Sequence, residues 1–410
     1  MPQPPNFEPK PPQPGRNLSP ILGLPVDEPE ELDSSLANDP QPDAALRTPL
    51  GEEVTLELSV IIPARNEEAN LPACLNSLLA QDSDLFPLGT DWELLVIDDG
   101  SIDRTRAMAE GAAKHPGVRA FEAPPLPPRT AAAGQQAFTG EQQAFTGKTN
   151  ACWFGAQHAR GRWLLFTDAD TIHEPGSLRH AIHEAEKHHA ALLSYSPRQL
   201  VSGIAQRILM PLVFSELASV YPPAEVNDPG KRTAAANGQF LLIERKAYFC
   251  VGGHRAVGGS VLEDVDLAWN VKRSKRLIRF RYAPDALSTR MYRGFGDMIE
   301  GWTKNLALLF PHSLRLAAWR LLDILLLLLP LLLWWLPYLV LWQRAAIVLL
   351  WLRTILRFYT RVARSNFGFL NCAFSIFGLP LFILLLIRSW IQHHLFHQVA
   401  WKGREYRTGR

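Results

Sequence analysis

Two aspartates one residue apart, Asp168 and Asp170, end the apolar run "LLFTDAD". Carboxylate oxygens are hard ligands of the kind Mg²⁺ and Mn²⁺ take, usually shared with substrate phosphates and water. In extended backbone, residues i and i+2 point to the same side, so this pair can address one ion or one ligand. The competing reading is a strand end at which Asp opens a turn.

Other charged stretches bear on that choice. "IDDGS" (97–101) closes a second apolar run with Asp98 and Asp99, which can accept from a nucleoside's ring N–H or ribose hydroxyls or can simply form a turn. "GKTNA" (147–151) sets Lys148 ahead of a helix, without P-loop spacing but where a cation can meet a diphosphate. "LEDVDLAW" (262–269) sets Glu263 and Asp264 between a glycine-rich loop and a helix, either as helix caps or with a carboxylate serving as general base.

The elements that must position these groups alternate. "LSVIIPA" (58–64), "WELLVIDDG" (92–100) and "RWLLFTDAD" (162–170) read as strands, and "EEANLPACLNSLLAQ" (67–81) carries leucines at helical spacing. Asp103 is placed to cap the helix after the second strand. Alternation of this kind predicts an α/β fold with a mostly parallel sheet flanked by helices, whose ligands bind beyond the carboxyl ends of the strands. Arg65, Asp98, Asp99, Asp168 and Asp170 all fall there.

The 410-residue chain has a net charge of +2, so nothing global points to nucleic acid. Four separated cysteines, with no Cys-x-x-Cys pair, predict buried free thiols rather than a zinc site or disulfides. The start of the chain lacks the basic-then-apolar pattern of a secretory leader. Residues 1–54, rich in Pro and acids, cannot bury enough apolar surface to offset ordering entropy and read as a disordered tail. "QQAFTGE" (135–141) and "QQAFTGK" (142–148) form a near-copy that reads as a duplicated surface loop. The histidines of "HEAEKHH" and "HHLFH" read as surface or interfacial side chains rather than ligands.

From 311 to 410 the composition changes. "LLDILLLLLPLLLWWLPYLVLW" (321–342) and "FGFLNCAFSIFGLPLFILLLI" (367–387) are each long enough to cross a bilayer. Between them, Arg353, Arg357, Arg361 and Arg364 share one face of an expected amphipathic helix at the membrane interface. Two full crossings would set these arginines outside, against the positive-inside tendency, so re-entrant or in-plane packing is the alternative.

Together, "SVIIPARNEEANL", "LLVIDDGSIDRT", "GKTNACWFGAQHARGRWLLFTDADT", "NGQFLLIERKAYFCVGGH" and "LEDVDLAWNVKRS" resemble glycosyltransferase family 2, in the branch that glycosylates membrane lipids such as carotenoids and hopanoid-associated isoprenoids. "MYRGFGDMIEGWTKN" and "WKGREY" are similar to that branch. The resemblance implies a GT-A catalytic domain over 55–310, a membrane-associated region over 311–410, a nucleotide-sugar donor, Mg²⁺ or Mn²⁺, and a lipid acceptor. It also implies a membrane location with the catalytic domain facing the cytoplasm.

Carried over by position, Pro63, Arg65 and Glu67 flank the nucleotide, Asp98 or Asp99 contacts base or ribose, and Lys148 lies by the donor. Asp168 and Asp170 are the Asp-x-Asp pair, with Asp170 the direct metal ligand. Asp264 is the catalytic base of an inverting transfer, and Asn237, Gly238, Glu263 and Trp302 line the acceptor side. The duplication leaves Gly140 or Gly147 for one family position; the lysine that follows only Gly147 favours the second copy. Two other readings stay open: a nucleotidyltransferase on a similar sheet, and a non-catalytic membrane scaffold.

Overall fold

The computed structural model describes residues 49–51, 53–126, 145–396, 398–401 and 404–407. The expected tail up to residue 48 and the repeat up to residue 144 lie outside the described residues.

Among the described residues twelve strands build three sheets: β1 (Leu56–Ala64), β2 (Trp92–Asp98), β3 (Val118–Glu122), β4 (Gly161–Phe166), β5 (Thr171–His173), β6 (Leu192–Ser196), β7 (Arg198–Gln199), β8 (Leu241–Glu244), β9 (Ile278–Tyr282), β10 (Leu287–Thr289), and the two-stranded pair Gln398–Trp401 and Arg404–Arg407. Seven run in the order β3-β2-β1-β4-β8-β6-β9; β5-β10-β7 form a separate three-stranded sheet. β1, β2, β3 and β4 are parallel neighbours and β6 is parallel to β9, while β8 runs antiparallel to both β4 and β6. The expected α/β fold with a mostly parallel sheet is therefore present, with one reversed strand. Apolar runs such as "WELLVID", buried along its whole length, suit a sheet covered on both faces. Parallel register pairs Ala64 with Asp98 and Ile61 with Phe166, which delivers the acid-bearing ends of β2 and β4 to the same edge as Arg65.

A second core is helical. It draws Leu209, Val213 and Phe214 from the helix Gly203–Val220, Met298, Trp302 and Leu306 from Phe295–Leu309, Phe358 and Val362 from Leu341–Val362, and Phe382, Leu385 and Leu386 from Leu379–Ile391. The boundary expected at residue 310 falls inside this cluster.

The apolar segments differ from their expected form. The run 321–342 is not one helix: Ser313–Leu333 ends, a turn follows, and a new helix starts at Leu341. Pro337 lies in the break, where it lacks an N–H and disfavours helix at the residue before it. The short run at 345–352 and the arginine face belong to one continuous helix, Leu341–Val362. Arg361 does not face an interface with the others; it turns inward, 2.9 Å from Asp323 Oδ2 and 3.5 Å from Glu216 Oε1. The run 367–387 is split into Phe369–Phe374, a 3₁₀ turn Ser375–Gly378, and Leu379–Ile391. Gly378 marks a close approach, since a Cβ there would collide with Ile208 O. Among the described residues, three helical segments are long and apolar enough to cross a membrane: Gly203–Val226, Ser313–Leu333 and Phe369–Phe396. The first was not expected. Of the cysteines, Cys74 and Cys152 are buried as expected, but Cys250 is exposed.

Candidate active site

Each functional side chain is set by a local cause. Thr146 caps the helix Gly147–His158: its Oγ1 accepts from Thr149 N (3.1 Å) and Thr149 Oγ1 accepts from Thr146 N (3.0 Å), a reciprocal capping box. Lys148 therefore sits in that helix's first turn. The helix Glu263–Arg273 begins with Glu263, Asp264 and Asp266 and ends with Lys272 and Arg273, an order that the helix dipole favours. Asp168 lies two residues beyond the end of β4, after Thr167. The alternation argument for its partner does not hold, because Ala169 and Asp170 form a turn, with Thr171 N donating to Asp168 O (3.2 Å). Asp170 is fixed instead through its carbonyl, which accepts from Thr289 Oγ1 on β10 (3.2 Å).

These elements converge on one recess, lined by Pro63, Lys148, Asp168, Gly238, Glu263 and Asp264 among others. Lys148 Nζ lies 2.9 Å from Asp168 Oδ1 and 2.8 Å from Glu263 Oε1. Asp264 Oδ2 accepts from Gly238 N (2.7 Å), and its Oδ1 accepts from Val265 N (2.9 Å). Asp264 thus serves its helix start and faces the recess together, so capping and site readings coexist.

Burial pushes the Asp264 carboxyl up, as does the neighbouring Glu263 carboxylate, to about 7. Burial also pushes Glu263 up, but Lys148 outweighs it and holds that carboxyl below its ordinary value. For Lys148, burial works against the charge, yet Asp168 and Glu263 keep the ammonium well above its usual range. His254, buried beside the recess, is driven down to about 3 by burial and is neutral; its Nδ1 pairs with Tyr248 OH (2.9 Å).

A second group lies at the ends of β1 and β2. Arg65 Nη1 donates to Asp99 O (2.6 Å) and Gly100 O (3.1 Å). Asp98 Oδ2 accepts from Ser101 N (3.2 Å), while its buried Oδ1 has no hydrogen-bond partner among the described residues. Glu67 Oε2 accepts from Asn70 Nδ2 (2.7 Å). Asp99, Asp168, Glu263 and Lys148 all act on the buried Cys152 thiol, so the two groups adjoin.

Two expected acceptor-side residues make structural contacts. Asn237 Oδ1 accepts from Gln239 N (3.0 Å), shaping the loop that presents Gly238. Trp302, expected on the acceptor side, is 2% exposed, edge-on to Phe214 and donating to Met210 Sδ (3.4 Å), because its helix turns that face into the second core. Sequence reasoning missed Lys304, two residues on, which burial lowers while Glu263, Asp168 and Asp264 pull it back. A single lysine on an amphipathic helix gives no sequence signal.

The sequence profile of Glycosyl transferase family 2 matches residues 59–124 and 139–249, which contain the donor-side groups, Lys148 and the aspartate pair. This is a glycosyltransferase with a family 2 domain. The glycosyltransferase's α/β sheet is the GT-A architecture that the resemblance implied. It is 28% identical over 382 residues to the 4,4'-diaponeurosporenoate glycosyltransferase of Staphylococcus haemolyticus, covering 86% of this chain and 89% of that one. To the enzyme of the same name from Staphylococcus aureus (strain MRSA252) it is 25% identical over 363 residues, with 85% and 88% covered. A looser structural overlap, TM-score 0.37 at 18% identity over 62% of this chain and 79% of the other, is with Mycobacterium tuberculosis glucosyl-3-phosphoglycerate synthase solved with Mn²⁺, UDP-glucose and phosphoglyceric acid.

The family also implies a divalent cation. Asp168, which lines the recess, and Asp170, in the turn that follows it, are half-buried residues with hard oxygen donors, which fits Mg²⁺ or Mn²⁺. Among the described residues no cluster of three or more His, Cys, Asp or Glu could hold an ion alone. Substrate phosphates and water would have to complete the shell, as these ions commonly accept.

Proposed function

We propose that this glycosyltransferase moves a sugar from a nucleotide-sugar, of UDP type, to a carotenoid-like lipid at a membrane surface, with inversion. The observation that carries the reading is the Asp264 carboxyl, half-buried in the recess with Lys148, held by Gly238 N–H and raised to about 7. A carboxylate with that value is matched to proton transfer near neutrality. Asp98 and Asp99 receive the nucleoside at the edge where Arg65 and Glu67 flank it. Asp170 and Asp168 would hold the cation, whose chemistry would be to neutralise the departing diphosphate. Lys148 adds a positive charge beside that diphosphate. Asp264 takes the proton from an acceptor hydroxyl on the face opposite the leaving group.

The names of the relatives favour a second reading, in which the acceptor is a lipid carboxylate. Such a group is already ionised and needs no base, so Asp264 would then only orient it.

The lipid reaches the site from the helical region. Leu332, Trp335, Leu341 and Phe369 are exposed there, an apolar surface suited to a bilayer. Ser389 Oγ bonds Thr303 O (2.7 Å) and Ala307 N (2.8 Å), tying that region to the helix carrying Lys304. The catalytic domain faces the cytoplasm, the side that arginine-rich segments prefer. The test is transfer by purified protein in detergent or vesicles, across labelled nucleotide-sugars with Mn²⁺ or Mg²⁺, to hydroxylated and carboxylated carotenoids. Labelled lipid supports the reading. Diphosphate formed from sugar-1-phosphate and a nucleoside triphosphate would favour nucleotidyl transfer instead.

A further inference from the structure

Lys148 occupies an unusual position. A cation in the first turn of a helix opposes the helix dipole, and it lies in the first turn of Gly147–His158. Two carboxylates from separate elements compensate it: Asp168 after β4 at 2.9 Å, and Glu263 at the start of Glu263–Arg273 at 2.8 Å. On a further side stands the backbone of Gly238, where a Cβ would come within 2.9 Å of Nζ. The recess so enclosed is small, about 10 Å³, close to the least that a single water molecule needs. The ammonium is only half-buried, with 38% of the side chain exposed, and both of its carboxylate partners lie within salt-bridge distance.

One oxygen of Asp168 is therefore already committed to a cation. A divalent ion approaching Asp168 meets a like charge a few ångströms away, and in a partly buried site that repulsion is weakly screened. A diphosphate alters the balance, because it offers the ammonium a new anionic partner and offers the ion further oxygens.

We propose that Lys148 is a latch on the metal site: parked on Asp168 and Glu263, it keeps a divalent cation from Asp168 until the donor's diphosphate draws the ammonium away. Metal and donor then bind as a pair rather than in either order. Glu263 is the positioning residue that holds the latch, a role distinct from acceptor contact. The inference rests on the donor reading above.

The test measures Mn²⁺ binding by the electron paramagnetic resonance signal of the free ion, on the full chain in detergent, with and without UDP and without acceptor. Removing the latch in Lys148→Met should tighten nucleotide-free Mn²⁺ binding by about tenfold or more relative to wild type, a difference easily read as a shift in Kd. Glu263→Gln, which loosens the parked state, should shift it the same way by a smaller factor. Thermal unfolding of each variant reports whether it is folded; should Lys148→Met not fold, Glu263→Gln decides alone. Nucleotide-free affinity in the folded variants equal to or weaker than wild type overturns the latch while leaving the donor reading standing. Failure of wild type to bind Mn²⁺ even with UDP overturns both.

Discussion

The sheet and the helical cluster are both apolar, yet they dispose of their apolar residues in opposite ways. Around the sheet, Val60, Ile62, Leu94, Val96 and Leu165 are wholly enclosed, and polar groups gather where the strands end. In the helical cluster one face is enclosed and the other is open: Phe358 and Phe382 are buried while Leu332, Leu341 and Leu349 are largely exposed. Two helices within that cluster sharpen the contrast. Gly203–Val220 buries a long stretch from Leu209 to Glu216, whereas Ser313–Leu333, the more hydropathic, buries only Ser313, Ala317, Leu327 and Pro330. Hydropathy reports that a surface avoids water; it does not say whether protein or lipid covers it.

The contrast predicts that damage at the strand ends should abolish activity without unfolding, and that damage between the helices should unfold. The largest effect expected is at Asp170. Asp170→Ala should lower turnover by about 10³-fold, the scale of losing a main stabiliser of developing charge, with an unchanged melting curve; excess EDTA should do the same to wild type. Full turnover in EDTA would remove the cation from the account.

Next is the ion group among the helices. Arg361 and Arg320 both pair with Glu216 and Asp323, with little exposure on any of the four. Arg361→Met leaves buried acids short of a partner and should cost about 3 kcal/mol of stability, read as a lowered unfolding midpoint in detergent. A midpoint unchanged within error would show that these charges are hydrated. Gly378→Val forces a side chain into the Ile208 backbone and should cost about 1–3 kcal/mol. Normal stability there would mean that the two helices part easily. The smallest effect is expected from deleting residues 135–141, which duplicate the segment before Lys148. Changing loop length costs only about 0.6 kcal/mol per doubling, so nucleotide-sugar affinity should stay within about twofold. A tenfold loss would make the insertion part of the site.

The contrast also explains what the sequence discloses. Asp98, Asp99, Asp168, Glu263 and Asp264 stand out because each closes or opens an element at a sharp change from apolar to acidic. Lys148 is legible for the same reason, next to a glycine at a helix start. The turn at Ala169–Asp170 is one of the two readings that the Asp-x-Asp spacing leaves open, since that spacing is compatible with strand and turn alike. Lys304 is hidden because its proximity to Glu263 arises from the docking of the helix Phe295–Leu309, a tertiary event with no local pattern. The breaks at Pro337 and Ser375–Gly378 lie inside apolar runs, where composition stays constant while the backbone turns. The helix Gly203–Val220 escaped notice as a candidate span because charged and small residues and Pro211 interrupt its apolar run.

The central claim is that Asp264 takes a proton from the acceptor during sugar transfer, and the pH dependence of kcat tests it most directly. With a carboxyl raised to about 7, only the deprotonated form can act, so wild-type kcat should rise through about pH 7 and level off above it. Asp264→Asn keeps the shape but cannot accept a proton; it should lose about 10² to 10⁴ in kcat, keep its nucleotide-sugar affinity, and lose the rise near 7. A wild-type profile flat from pH 6 to 8, with an Asn variant that turns over at a comparable rate, would contradict the account and leave Asp264 as a helix-start residue beside an acceptor that is already ionised.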